Sequence, residues 1–546
     1  MGIKDPEPLA MKHLLYRATA FLLSILCVGT AWPARAADHD AQWQRGAVLV
    51  RGIGHCGSCH SPRGGGYRQL GGELALSGAI AGGWYASSLR GGREGLGDWT
   101  EADIVQYLKT GRTPQAAAFG DMSEVVARHT QHMSQADLGA IAHYLKSLPA
   151  APGARSPSVV ADHTFWRLRN GNLDKPGAVL YYEYCYQCHR ADGAGFPNIY
   201  PSLAGSSAVL AGDPLSIIRI ILDGGHMPKT ATGGLPFAMP GFSQLSDRDV
   251  ALLATFIRTS WGNSASTVTA ATVAAFRRTY ALGSASRQAG MPPEFDPPDD
   301  IDIPPGPRGQ QILLGMRLLR ETKRLLPDNV GDQLSCTSCH PGEGKIPFGA
   351  PFFGVDAKYP RYNSRAGRVL DLTERINGCF LRSMNGKAVP PDSPEMAAML
   401  AYFQWLSAKV PHGAKIAGVG MHKPVGHLIP NPAHGKVVYE ARCAACHGAD
   451  GEGRKDSRGE YVFPPLWGAQ SYNIGAGLAR TGPAAAFTKS MMPLAANSHG
   501  LLGQAGVLSD QDAVDVGDYF SHQPRADFPP KIHDWPKGGK PKDSRY

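Results

Sequence analysis

Eight cysteines of this chain stand in four copies of one pattern: Cys56-Gly-Ser-Cys59-His60, Cys185-Tyr-Gln-Cys188-His189, Cys336-Thr-Ser-Cys339-His340 and Cys443-Ala-Ala-Cys446-His447. Residues three apart share one face of a helical turn, so both thiols of a copy reach the two vinyl groups of one porphyrin. The adjacent histidine then offers its imidazole to the iron from the same side. A single copy is also compatible with chance, a redox dithiol or half a zinc site. Zinc would need paired motifs feeding one metal, and the chain has no other C-x-x-C. Four covalently bound haem c groups are therefore expected.

Around each motif one plan recurs. An apolar helical run comes first: Gly46-Ala-Val-Leu-Val50, Gly177-Ala-Val-Leu-Tyr181, Gln311-Ile-Leu-Leu314 and Gly435-Lys-Val-Val-Tyr439. After the motif come a Gly/Pro-rich loop and an amphipathic closing helix. The closing helices open on capping signals: Ser134-x-x-Asp137, Ser246-x-x-Asp249, Ser393-Pro-Glu and Ser509-x-x-Asp512. Each carries an aromatic at a similar place, Tyr144, Phe256, Tyr402 and Tyr519, which reads as core packing. This is the plan of small cytochrome c domains, and 546 residues are too many for one core. The expected fold is all-α, with four tandem cytochrome c-type domains in two dihaem halves. The domains read as 38–152, 160–262, 300–410 and 425–546, with a linker at 263–299 whose end, from Met291, is Pro- and Asp-rich and expected to be extended. A smaller linker runs from Pro411 to Pro432.

Lys12, His13 and Arg17 precede an apolar run from Ala18 to Thr30, and Ala34-Arg35-Ala36 forms an A-x-A cleavage pattern. Residues 1–36 read as a secretory signal, initiated at Met11 and cut after Ala36. The alternative is an uncleaved anchor, for which thirteen residues are short. No later run is apolar enough to span a bilayer, so a periplasmic protein without a stable membrane span is expected. The formal charge of +9 includes the leader, where Lys4, Lys12, Arg17 and Arg35 oppose Asp5 and Glu7; +7 remains. No basic run with interleaved aromatics points to nucleic acid.

A c-type haem in electron transfer needs a second axial ligand, usually methionine. In domain one Met122 is favoured over Met133, which abuts the closing helix. In domain two Met239, in Ala-Met-Pro-Gly-Phe, is favoured over Met227. In domain four Met492 is favoured, with Met491 and Lys489 as competitors. These three methionines lie 62, 50 and 45 residues beyond His60, His189 and His447. Domain three differs. Cys27 leaves with the leader, and the one remaining cysteine, Cys379, lies 39 residues after His340, where a distal ligand is due. Met384 is a rival; Met396 and Met399 fall at core spacing in the closing helix. From Lys358 to Lys387 seven basic residues face two acids, Asp371 and Glu374. A solvated face is the plain reading of such a run. A cysteine among arginines at a haem also suits a small oxyanion site, and cations hold a thiol as thiolate.

The C-terminal half, from about residue 291, resembles the dihaem thiosulfate dehydrogenases that form tetrathionate. The resemblance is carried by Leu334-Ser-Cys-Thr-Ser-Cys-His340, Ala350-Pro-Phe-Phe-Gly-Val355 and Arg375-Ile-Asn-Gly-Cys-Phe-Leu-Arg-Ser-Met-Asn-Gly-Lys387. Asp392-Ser-Pro-Glu-Met396, Phe487-Thr-Lys-Ser-Met-Met-Pro493 and Asp534-Trp-Pro-Lys-Gly-Gly-Lys540 extend it. The double methionine at 491–492 departs slightly from that family's pattern. The resemblance implies that Cys379 is the distal ligand of a catalytic haem and that Arg365, Arg375 and Ser383 line the substrate site. The N-terminal half resembles the dihaem cytochrome acceptor of such enzymes. Through Met239-Pro-Gly-Phe242 and Ser260-Trp-Gly262 it also resembles the cytochrome subunits of alcohol and gluconate dehydrogenases, more loosely. The implied whole is an acceptor–dehydrogenase fusion that oxidises two thiosulfates to tetrathionate. Thiolate ligation lowers and His/Met ligation raises a haem potential, so electrons are expected to run from haem three to haem four and then to the N-terminal pair. A soluble cytochrome or terminal oxidase would receive them. A non-catalytic electron-transfer cytochrome, and tetrathionate reduction at the same site, are the alternatives.

Overall fold

A computed structural model describes residues 40–154, 162–283, 292–494 and 507–546 of the chain. The expected leader, with Cys27 and its cleavage site, lies outside the described residues.

Four pairs of helices repeat along the chain, each pairing the first helix of a unit with its last. Helix α1 (Ala41–Val48) packs on α2 (Gln135–Lys146), and α3 (Ala178–Tyr184) on α4 (Asp247–Arg258). Helix α5 (Pro307–Arg320) is followed by α6 (Leu372–Arg382) and packs on α7 (Pro394–Leu406). Helix α8 (Pro432–Arg442) packs on α9 (Asp510–Ser521). All four closing helices start as their sequences predict. The hydroxyls of Ser134, Ser246, Ser393 and Ser509 accept from the backbone N–H of Asp137, Asp249, Met396 and Asp512, satisfying a donor with no partner inside the helix. Four short antiparallel hairpins are the strand structure of the described residues, so the chain is essentially all-α.

The crossings explain the repeated glycine of the opening helices. A methyl group on Gly46, Gly177, Gly315 or Gly435 would overlap the carbonyl oxygen of Ala140, Leu252, Ala398 or Asp515. One turn on stands the predicted aromatic: Tyr144, Phe256 and Tyr402 are buried, and Tyr519 is half-buried. Three of these rings meet an aromatic of the opening helix: Trp43–Tyr144 at 5.2 Å, Tyr181–Phe256 at 5.2 Å and Tyr439–Tyr519 at 5.6 Å. The backbones approach closely, and the aromatic fills the space beyond the contact.

In domain three the run Gln311–Leu314 lies within α5, and the glycine at the crossing is Gly315. A short helix, Thr322–Leu325, and a loop separate α5 from the haem motif. Thr322 ties the two together: its hydroxyl accepts from the Cys336 N–H at 3.0 Å. The linker at 263–299 holds regular structure ahead of its Pro- and Asp-rich end. It contains a helix, Ala270–Tyr280, packed on α4 through buried Val273 and the Arg277–Asp247 ion pair at 2.7 Å. Further on, Phe295 is fully buried and meets Phe353 at 4.9 Å. No helix of the described residues is long and apolar enough to cross a membrane.

Candidate haem centres and active site

Each motif histidine has its Nδ1 against a backbone carbonyl oxygen: His60 on Ser87 at 2.7 Å, His189 on Pro201 at 3.0 Å, His340 on Ala350 at 2.5 Å and His447 on Pro464 at 2.9 Å. A carbonyl accepts, so Nδ1 carries the hydrogen and Nε2 keeps its lone pair for a metal. Burial lowers the pKa of all four imidazoles, His189 and His340 to about 4, which keeps them neutral. Burial pushes Cys56 and Cys188 up to about 11, and Cys336, Cys339, Cys443 and Cys446 up to about 12. Cys185 rises in the same direction. Such thiols suit uncharged thioethers, and none of them is in a disulfide.

In the N-terminal half a cavity of about 1590 Å³ is lined by Cys56, Cys59, His60 and Met122 of domain one and Cys185, Cys188, His189 and Met239 of domain two. It exceeds the roughly 300–1,000 Å³ of a site for one small ligand, and its donors are those of two His/Met haems. The residues fit the group. Met133 and Met227 line the same cavity.

In domain four the three candidate ligands separate. Lys489 donates to the Leu508 carbonyl at 2.6 Å and pairs with Asp510 at 3.0 Å. Met491 is fully buried and directs its sulfur at Gly349 of domain three. Met492, just past the helix end, is half-buried.

Helix α6 builds the centre of domain three. Asp371 and Glu374 form a reciprocal capping box that starts it. Leu372, Ile376 and Phe380 bury one face. One turn apart on another face lie Arg375 and Cys379, and Arg375 Nη1 donates to Cys379 Sγ at 2.9 Å. Gly378, beside the cysteine, has open space where a side chain would project. Cys379 lies within electrostatic reach of both Cys336 and Cys339 of the third motif. The neighbouring Cys379 raises the Arg375 pKa, and Tyr359 acts in the same direction. Met384 is buried in the core beside Met396 and Met399.

Arg365 is held elsewhere. Its Nε donates to Asp534 at 2.8 Å, its guanidinium also meets Tyr546, and it stacks over Trp535. Arg382 grips the same carboxylate with two bonds, at 3.0 and 2.7 Å. Burial would raise the Asp534 pKa, but hydrogen bonds from Arg382, Tyr546 and Arg365 prevail and hold it below the usual carboxylate range. The end of domain four thereby braces α6. Ser383 caps α6, its N–H donating to the Cys379 carbonyl at 2.7 Å. Tyr359 and Asp534 are the two site residues that sequence reasoning missed. Asp534 opens one of the stretches that carry the resemblance, and that was its only signal.

The half-chain arrangement matches known proteins. Residues 328–412 match the SoxA/TsdA cytochrome c domain, and 175–261 and 432–523 match the cytochrome c family. A thiosulfate dehydrogenase of Psychrobacter arcticus is 43% identical over 267 residues, 49% of this chain and 79% of that protein. One from Allochromatium vinosum is 45% identical over 230 residues, 41% of this chain and 82% of that protein. The cytochrome c subunit of a quinone alcohol dehydrogenase of Gluconobacter oxydans is 42% identical over 251 residues, 45% of this chain and 52% of that subunit. With the Nδ1 of each motif histidine on a backbone carbonyl and Arg375 hydrogen-bonded to Cys379, this cytochrome c chain belongs to the thiosulfate dehydrogenase family.

Proposed function

We propose that the chain is a periplasmic tetrahaem cytochrome that oxidises two thiosulfates to tetrathionate at Cys379, in a domain spanning about 300–410. The observation that carries this reading is the 2.9 Å contact between Arg375 and a cysteine within electrostatic reach of the third haem motif. Haems c attached at the four cysteine pairs would be ligated by His60 and Met122, His189 and Met239, His340 and Cys379, and His447 and Met492. When bound, they supply one-electron acceptance, two in the C-terminal half matching the two electrons of the reaction and two in the N-terminal half leading to a soluble cytochrome or terminal oxidase.

The protein's own part is sulfur chemistry. Arg375 orients a thiosulfate dianion, with Ser383 adding a hydrogen bond and Arg365 contributing positive charge from behind α6. The Cys379 thiolate bonds to the sulfane sulfur: Cys–S⁻ + S₂O₃²⁻ gives Cys–S–S–SO₃⁻ and two electrons. A second thiosulfate attacks that disulfide, and Cys–S–S–SO₃⁻ + S₂O₃²⁻ gives Cys–S⁻ + S₄O₆²⁻. No proton is consumed or released. The link between halves is supported by Tyr200, which hydrogen-bonds Cys188 of domain two and senses Cys446 of domain four. Phe196 and Phe463 lie 5.0 Å apart, and Tyr200 is 5.8 Å from Phe463.

Product analysis tests the function. One tetrathionate per two thiosulfates and two electrons is expected; sulfite or sulfate as the main product would refute it. Domain four has its own check. Met492→Ala should abolish one low-spin His/Met haem signature, and Met491→Ala should keep it. The opposite result would move the ligand to Met491.

A further inference from the structure

Three cations, Lys358, Arg361 and Lys415, line one open cavity of about 370 Å³, walled also by Gly413, Ile416 and Val419. No carboxylate lines it. Among the described residues none of the three makes an ion pair. The acid nearest in sequence, Asp356, is not part of the lining. Lys358 is half-buried, and both burial and the Arg361 charge disfavour its ammonium. Like charges drawn together without a counter-ion cost free energy, yet the fold secures both walls. The Gly413 N–H donates to the Ala357 carbonyl at 2.8 Å, and Ile416 packs on Gly354. The segment after α7, expected as a plain linker, is thus one side of a cationic cavity. Tyr359, next in sequence to Lys358, lies within electrostatic reach of both Arg361 of the cavity and Arg375 of the active site.

We propose that this cavity captures sulfur oxyanion dianions and passes thiosulfate to the cleft of Tyr359, Arg375 and Cys379. The proposal rests on the function given above, which brings two dianions to one cysteine. A cationic mouth raises the local concentration of the second dianion against that repulsion, and such fields raise association rates by about 10- to 1,000-fold. The volume is at the small end for ligand sites, as a five-atom anion requires. A haem carboxylate carries the same anion chemistry and would satisfy the same cations; the test separates the two.

The holoenzyme is compared with the Lys358→Gln/Arg361→Gln/Lys415→Gln variant across salt concentration. At low salt kcat/KM for thiosulfate should fall about tenfold with kcat within about twofold. The gap should close by about 0.5 M NaCl, where the Debye length is a few ångströms. Sulfate should inhibit the variant less competitively than the parent. A charge-preserving Lys358→Arg/Lys415→Arg variant should behave as the parent, which separates charge from folding. Equal kcat/KM at low salt, or a gap that salt does not close, overturns the proposal. So does a shifted haem midpoint potential with unchanged salt dependence, which would give the cations to a haem carboxylate. Cys379→Gly is measured in parallel: full activity there would remove the chemistry assigned to the cysteine, while the salt-dependent gap would still report capture.

Discussion

Cys379→Gly is expected to lower thiosulfate-driven haem reduction about a thousandfold or more, in line with removal of a nucleophile elsewhere, while dithionite still reduces every haem. Glycine lies about 1 kcal/mol below alanine in helix propensity at a position inside α6. Cys379→Ala avoids that cost and should lose as much activity. If both variants lose activity and keep their melting temperature, the loss belongs to the sulfur. The spectrum of one haem should change in both, because the same sulfur is assigned to its iron. Full activity in either variant would return the chain to a plain electron-transfer cytochrome, with buried Met384 as the remaining candidate ligand of domain three.

What the sequence made legible follows the range of the interaction concerned. A covalent porphyrin demands two thiols three residues apart, so all four centres could be read from spacing. Serine caps act over three residues, and all four closing helices begin where their caps predict. Arg375 and Cys379 are four apart on one helix, so their contact is also local. The crossing glycine of domain three carried no such local signal, because the inserted turn after α5 removes the constant distance between glycine and motif. Contacts between distant segments were illegible. Asp534 meets Arg382 across 152 residues, and nothing in either neighbourhood announces the other. For the same reason Lys415 gave no sign of sharing a cavity with Lys358.

Arg375→Ala is expected to lower kcat/KM for thiosulfate about 100- to 1,000-fold, the usual cost of removing a donor aimed at developing or approaching charge. A thiolate and a dianion must come into contact. At about 4 Å and an effective dielectric near 20, each pair of unit charges repels by about 4 kcal/mol. Arg375 donates to Cys379 and is solvent-exposed, so one guanidinium can bridge enzyme sulfur and substrate oxygen. Arg375→Lys keeps the charge and loses the planar fork, so its activity should fall between parent and alanine variant. Guanidinium added to the alanine variant should restore part of kcat/KM. Arg365→Ala should differ in kind. That residue is anchored on Asp534 and Tyr546, and its loss loosens the brace behind α6. Its melting temperature should drop, with a smaller loss in kcat/KM than in Arg375→Ala. An unchanged kcat/KM in Arg375→Ala would take the arginine out of substrate binding. A loss in Arg365→Ala as large as that of Arg375→Ala, without destabilisation, would instead bring both arginines to the substrate, because a brace acts on the stability of the helix it holds and a clamp acts on the anion.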